Sequence, residues 1–229
     1  MTEPIVVLIS ADAEWKAVKD QFSQSKIETY PMGEFFLTNI NRQTMVFQHG
    51  GWGKIAAAAS AVYAIETWNP ELVINLGTCG GFAGRVERDV ILMPDSTLTY
   101  DIIEQMSDPQ ESIDHYTTRL DHSWLKIPYP LPVQNGVMVS ADRDILPRDI
   151  PALIKTYDAR AADWESASIA WVTVKKYRRR CLILRGVSDL VSTEGGEAYS
   201  SVEFFEQASE RIMRRLLESL PGWLSCAGY

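Results

Sequence analysis

The sequence predicts a mainly parallel, layered α/β fold. Three observations predict it. Apolar runs of strand length alternate with helix-like segments along most of the chain. The first run, Ile5 to Ile9, is entirely β-branched residues and leucine, as in a strand covered on both faces. Near the C-terminus, Phe205, Ala208, Ile212, Leu216 and Leu220 fall on one helical face.

The elements follow in order. After the first strand, Asp12 is placed to cap a helix from Ala13 to about Phe22. Ile27 to Ile40, with Gly33 inside it, reads as a hairpin, and Thr44 to Gln48 as a further strand. His49-Gly50-Gly51-Trp52-Gly53-Lys54 is a flexible turn into an Ala-rich helix, which Asn69-Pro70 stops near Trp68. Leu72 to Leu76 is the next strand, and Gly77 to Gly81 the turn beyond it. Val86 to Met93 and Ser96 to Ile103 read as strands. Ser107 to Asn135 is the least regular part and carries four prolines. Val137 to Ser140 returns to the sheet, and Ile150 to Tyr157 is a short helix. A weaker strand from Ala159 to Asp163 precedes a helix from Ser166 to Tyr177. Leu182 to Val187 is the last strand, and Pro221-Gly222 ends the final helix. The chain shows no internal repeat.

Length and composition bound the function. The 229 residues suffice for a single domain over 1–229 with a well-buried core. A net charge of −8 speaks against a nucleic-acid partner, because such proteins present a basic face. The run Lys175 to Arg180 is the local exception and reads as a solvated helix end. Met1-Thr2-Glu3-Pro4 has no basic character of a signal peptide, and no segment approaches the ~18 apolar residues of a membrane span. The three cysteines lie far apart and are odd in number, which points to reduced thiols and a cytoplasmic protein. His49, His115 and His122 show no metal-ligand spacing, so neither a metal nor a cofactor is expected.

Four polar clusters each follow a strand: Asp12-Ala13-Glu14, Gly77 to Gly81, Trp164-Glu165 and Ser188-Asp189. Ligands of open α/β sheets bind beyond the carboxyl ends of strands, so these clusters meet along one edge. Glu14 sits in the first turn of a helix, where the helix dipole favours its charged form. It fits a water-activating base, or simply a capping acid. The glycines of the second cluster let backbone approach a ligand, or form a plain tight turn. Cys79 within it could act as a nucleophile by residue type, but with no histidine in an evident role beside it reads as a small residue in that turn. Glu165 can accept two sugar hydroxyls at once, or is simply a helix-start acid. Asp189 can donate a proton to a leaving group if burial raises its pKa, or cap a helix.

These stretches carry a resemblance. Ile9-Ser10-Ala11-Asp12-Ala13-Glu14, Val73 to Gly81, Asp163-Trp164-Glu165-Ser166-Ala167 and Arg185-Gly186-Val187-Ser188-Asp189 resemble the purine nucleoside phosphorylase superfamily. Within it the chain is most similar to the 5'-methylthioadenosine/S-adenosylhomocysteine nucleosidases. The likeness runs from Ile5 to about Leu220. It implies a three-layer α/β/α sandwich around a mixed, mainly parallel sheet. It implies a nucleoside substrate and a homodimer. By position, Asp189 resembles the acid that protonates the departing adenine, and Glu14 the residue that activates water. Glu165 resembles the acid that holds the ribose hydroxyls. Trp164 stands where an apolar residue packs on the sugar, and Ser188 where a partner orients the aspartate. Thr78, Cys79 and Gly80 resemble the stretch beside ribose and base, and Ile145 lies in the segment beside the base. Phosphorylases of the superfamily carry an arginine on the strand that here reads Val73-Ile74-Asn75-Leu76, which favours water over phosphate. Arg185 and Lys54 do not match that position. Ala11 and Asp144 stand where the nucleosidases have a methionine and an apolar or aromatic residue. A phosphorylase and a silent nucleoside-binding protein are the competing readings.

Overall fold

The computed structural model describes residues 3–229; Met1 and Thr2, part of the stretch read for a leader, lie outside it. The chain runs β1 (Ile5–Ile9), α1 (Asp12–Gln21), β2 (Glu28–Tyr30), β3 (Gly33–Ile40), β4 (Gln43–His49), α2 (Lys54–Trp68) and β5 (Leu72–Phe82). Then follow β6 (Ile91–Leu92), β7 (Ser96–Thr99), α3 (Pro109–Tyr116), β8 (Thr118–Arg119), β9 (Val137–Ser140) and α4 (Ile150–Tyr157). The last part comprises β10 (Ala159–Asp163), α5 (Ser166–Ala170), β11 (Arg180–Ser192), β12 (Gly195–Gly196) and α6 (Val202–Ala227).

The mixed sheet orders its main path β2-β3-β4-β1-β5-β10-β9-β7-β8, and β11 pairs with β5, β6 and β12. Parity along β1 sorts its side chains into two cores. Ile5, Val7 and Ile9 pack with Val18 and with Leu216 and Trp223 of α6. Val6 and Leu8 pack on the opposite face with Ala61 of α2 and Ile169 of α5. Helices on both faces of a mostly parallel sheet make the three-layer α/β/α arrangement.

β5 decides where the site lies. Its first half pairs in parallel with β1, at Val73 to Asn75. Its second half pairs antiparallel with β10, at Gly80 and Gly81. β11 follows β5 in parallel along its whole length. The segments after β1 and after β10 therefore converge from two sides on Gly77 to Gly80, at a topological switch point.

Several expectations are corrected. Gly77 to Gly81 is not a turn: it continues β5, because β11 supplies hydrogen-bond partners throughout. A Cβ on Gly77 would overlap the Arg185 guanidinium, so glycine is required there for space. The α1 cap is Ala11, not Asp12. The strands read over Val86 to Met93 and Ser96 to Ile103 shrink to β6 and β7, and the segment read as irregular contains α3, which Asp108 caps, and β8. The helix read from Ser166 to Tyr177 changes to π geometry from Trp171. The final helix passes through Pro221-Gly222 to Ala227. A helix-interior proline costs about 3 kcal/mol, but stopping there would leave Trp223 and Leu224, which are fully buried, without their core.

Candidate active site

A cavity of about 440 Å³ opens at the convergence of β1, β5, β10 and β11. Glu14, Thr78, Cys79, Gly80, Ile145, Trp164, Glu165, Ser188 and Asp189 all line it, as does Asp144.

Glu14 is 1% exposed and enters from the first turn of α1. Its Oε1 accepts the backbone N–H of Thr78 at 2.6 Å and the Thr78 hydroxyl at 2.9 Å. Its Oε2 accepts Ala11 N–H at 3.2 Å, so the Glu14 carboxylate caps the start of α1, where the alanine side chain has no acceptor of its own. The capping role and the placement in the cavity thus coexist.

Asp189 reaches the cavity through a β-bulge. Val187 lies opposite Cys79 and Asp189 opposite Gly80, so Ser188 is an extra residue in β11. Such a bulge re-aims the side chain that follows. The reading of Asp189 as a helix cap is therefore overturned. Ser188 Oγ donates to Asp189 Oδ1 at 2.7 Å or to Cys79 C=O at 3.2 Å. Burial raises the Asp189 pKa, against the lowering effect of Ser188 and the Ala198 backbone, while Glu197 and Asp144 push it further up.

Glu165 stands at the N-cap of α5 and accepts Gly53 N–H at 3.0 Å. Burial pushes its pKa up to about 8, against the pull of Arg185, with Asp163 adding to the rise. Trp164 is half-buried beside it. Its ring meets Trp52 at 5.6 Å in an edge-on contact. Trp52, 61% exposed, lines the same cavity. Burial raises the Cys79 thiol well above its ordinary range, which agrees with a packing residue rather than a nucleophile.

Sequence reasoning missed the group that holds the acids together. Arg185, 1% exposed, lies 3.1 Å from Asp163, 3.6 Å from Glu165 and 3.8 Å from Glu14. It also donates to Ser166 Oγ at 2.9 Å, Asn75 Oδ1 at 2.8 Å and Thr78 C=O at 3.3 Å. Buried carboxylates need such a partner. Asp163 anchors the other side, accepting Ser140 Oγ at 2.5 Å and the Ser166 hydroxyl. The only signal was a cation inside an otherwise apolar strand.

The phosphorylase superfamily profile matches residues 4–220. The chain belongs to the phosphorylase superfamily. Among curated superfamily proteins it is 22% identical to the 5'-methylthioadenosine/S-adenosylhomocysteine nucleosidase of Hydrogenovibrio crunogenus, over 94% of this chain and 97% of that one. The fold matches the Helicobacter pylori 5'-methylthioadenosine/S-adenosylhomocysteine nucleosidase with butyl-thio-DADMe-Immucillin-A (TM-score 0.79, 18% identity, 96% and 98% coverage). It also matches a futalosine hydrolase mutant of Helicobacter pylori (TM-score 0.72, 16% identity, 96% and 99% coverage). Among the described residues no helix is long and apolar enough to cross a membrane.

Proposed function

We propose that the protein is a nucleosidase that hydrolyses the N-glycosidic bond of a purine nucleoside, with 5'-methylthioadenosine or S-adenosylhomocysteine as substrate. One observation carries the proposal: Glu14 and Asp189, from elements far apart in the chain, open into one cavity with Glu165. The names of the relatives agree with it.

In this reading Asp189 is the general acid, and its burial raises its pKa and so favours the protonated form. It donates that proton to N7 of the purine as the bond from N9 to the anomeric carbon breaks. Positive charge develops on the sugar, and the nearby carboxylates stabilise it. Glu14 orients a water and takes its proton as the oxygen bonds to the anomeric carbon. Glu165 accepts the ribose hydroxyls, whose donation favours its ionised form. Trp164 packs on the sugar, and Thr78, Cys79, Gly80 and Ile145 shape the walls. No metal or cofactor enters any step.

Arg185 supports water over phosphate. Its guanidinium is held by three carboxylates and three neutral acceptors, and a phosphate dianion would have to displace them. Phosphate-dependent turnover would reverse this choice.

The proposal extends to a homodimer. Ile55 and Val62 of α2 are 84% and 39% exposed and seven residues apart, on one helix face, and Trp52, which precedes that helix and lines the cavity, is 61% exposed. Sedimentation tests it. The three free cysteines fit a reducing compartment, and we assign the protein to the cytoplasm on that ground. The deciding experiment incubates the protein with a nucleoside panel, with and without phosphate, and measures free base and free sugar. Release of adenine and ribose product without phosphate supports the proposal; no release from any purine nucleoside ends it.

A further inference from the structure

Glu165 is oriented by a backbone donor that is itself held from outside the cavity. Gly53 N–H donates to Glu165 Oε1 at 3.0 Å. Gly53 has φ +89°, in the left-handed region, and a Cβ there would come 3.1 Å from Asp142 Oδ1. The next residue is gripped at both ends. Lys54 N–H donates to Asp142 Oδ1 at 2.6 Å. Its ammonium pairs with Asp101 and lies 3.7 Å from Asp142 Oδ2. Asp142 N–H donates to Asp101 Oδ2 at 3.0 Å, which closes a ring.

The ring spans the sheet edge. Lys54 opens α2, Asp101 follows β7 and Asp142 follows β9. The Lys54 and Asp101 side chains are only 16% and 18% exposed, so solvent screens their pairing less than it screens a surface pair. The first turn of α2 has no acid of its own, and Asp142 supplies one across space. The mechanism proposed above uses none of the three residues.

We propose that Lys54, Asp101 and Asp142 are positioning residues of the ribose site, fixing the 50–54 turn so that Gly53 aims Glu165 and Trp52 stays against Trp164. The proposal rests on the reading of Glu165 as the acceptor of ribose hydroxyls. Among the described residues that line the cavity, none of the three appears. Their effect on substrate therefore passes through the turn. An acceptor held by one fewer donor loses orientation, and binding that depends on hydroxyl geometry weakens first.

The test uses Lys54→Met and Asp142→Asn, each alone and combined with Glu165→Gln. KM and kcat are measured for an adenine ribonucleoside and for its 3'-deoxy counterpart. Each single variant raises KM for the ribonucleoside about tenfold while kcat changes less than about threefold. The KM of the 3'-deoxy nucleoside changes far less, and neither variant adds to the loss in Glu165→Gln. Asp142→Asn keeps the side-chain shape and carries the test if Lys54→Met does not fold. Unchanged KM in folded variants, equal losses on both nucleosides, or full additivity with Glu165→Gln would overturn the proposal. If Glu165→Gln itself leaves ribonucleoside KM unchanged, the ribose reading fails and this inference falls with it. That result is distinct from one in which Glu165→Gln weakens binding and the ring variants do not.

Discussion

Thr78 donates twice to one oxygen of Glu14, through its backbone N–H at 2.6 Å and its hydroxyl at 2.9 Å. The contact joins the start of α1 to the middle of β5, 64 residues apart. It leaves the other oxygen to accept Ala11 N–H, on a carboxyl group that lines the cavity.

Glu14→Gln keeps the shape but replaces one acceptor oxygen with an NH₂ donor facing Thr78 or the cavity. Turnover is expected to fall by about 10²–10⁴, the range for loss of a general base. Circular dichroism should show the fold retained. Near-wild-type kcat in steady-state assays would remove Glu14 from the chemistry.

Asp189→Asn cannot protonate a leaving purine. We expect kcat to collapse while nucleoside binding, followed by calorimetry, persists. In the unaltered protein the raised Asp189 pKa keeps the acid form available at higher pH than for an ordinary aspartate. The pH profile of kcat/KM should therefore decline on its alkaline side as Asp189 ionises. A profile rising through that limb would contradict the assignment.

Glu165 should leave a signature in stability. Its pKa rises from 4.5 to about 8 on folding. The folded state thus holds the proton more tightly than the unfolded chain. The stability from Glu165 is fully present below pH 4.5 and is lost as pH rises through about 8. Glu165→Gln is expected to flatten the fall of Tm across that window in thermal melts at graded pH. Asp189 is shifted in the same direction and contributes with the same sign. A slope identical to that of the unaltered protein would show that Glu165 does not titrate there.

Arg185→Met removes the only cation that approaches Glu14, Asp163 and Glu165 in this structure's ion pairs among the described residues. Breaking a buried pair from one side costs about 3–5 kcal/mol. Urea unfolding should show a loss of that order, and Arg185→Lys should recover only part of it, since an ammonium lacks the planar fork. A loss under about 1 kcal/mol, the worth of an exposed pair, would mean the carboxylates are not held by Arg185.

What was legible in the chain follows from periodicity. β1, α2 and the start of β5 announce themselves through apolar runs and their breakers. Glu14, Glu165 and Asp189 were legible because each follows such a run. Gly77 to Gly81 misled because glycine reads locally as a turn, whereas continuous pairing with β11 keeps it extended. Pro221 misled in the same way: local propensity stops a helix, but burial of Trp223 carries it on. Arg185 sits inside β11, where nothing local separates a functional charge from a misplaced one, and Asp163 ends β10, where its link to Arg185 is set only by the fold.

The amino-acid order alone determined the alternation of strands and helices, and with it the sheet edge at which the acids gather, because side-chain periodicity is a local property. Tertiary structure alone decided which charges meet. Arg185 finds its three carboxylates, and Lys54 its two, across strands and loops distant in the chain. The extra residue at Ser188 that turns Asp189 inward exists only as a mismatch between β11 and β5. Electrostatic pairing and strand register depend on distances in space, and no run of neighbouring residues encodes them.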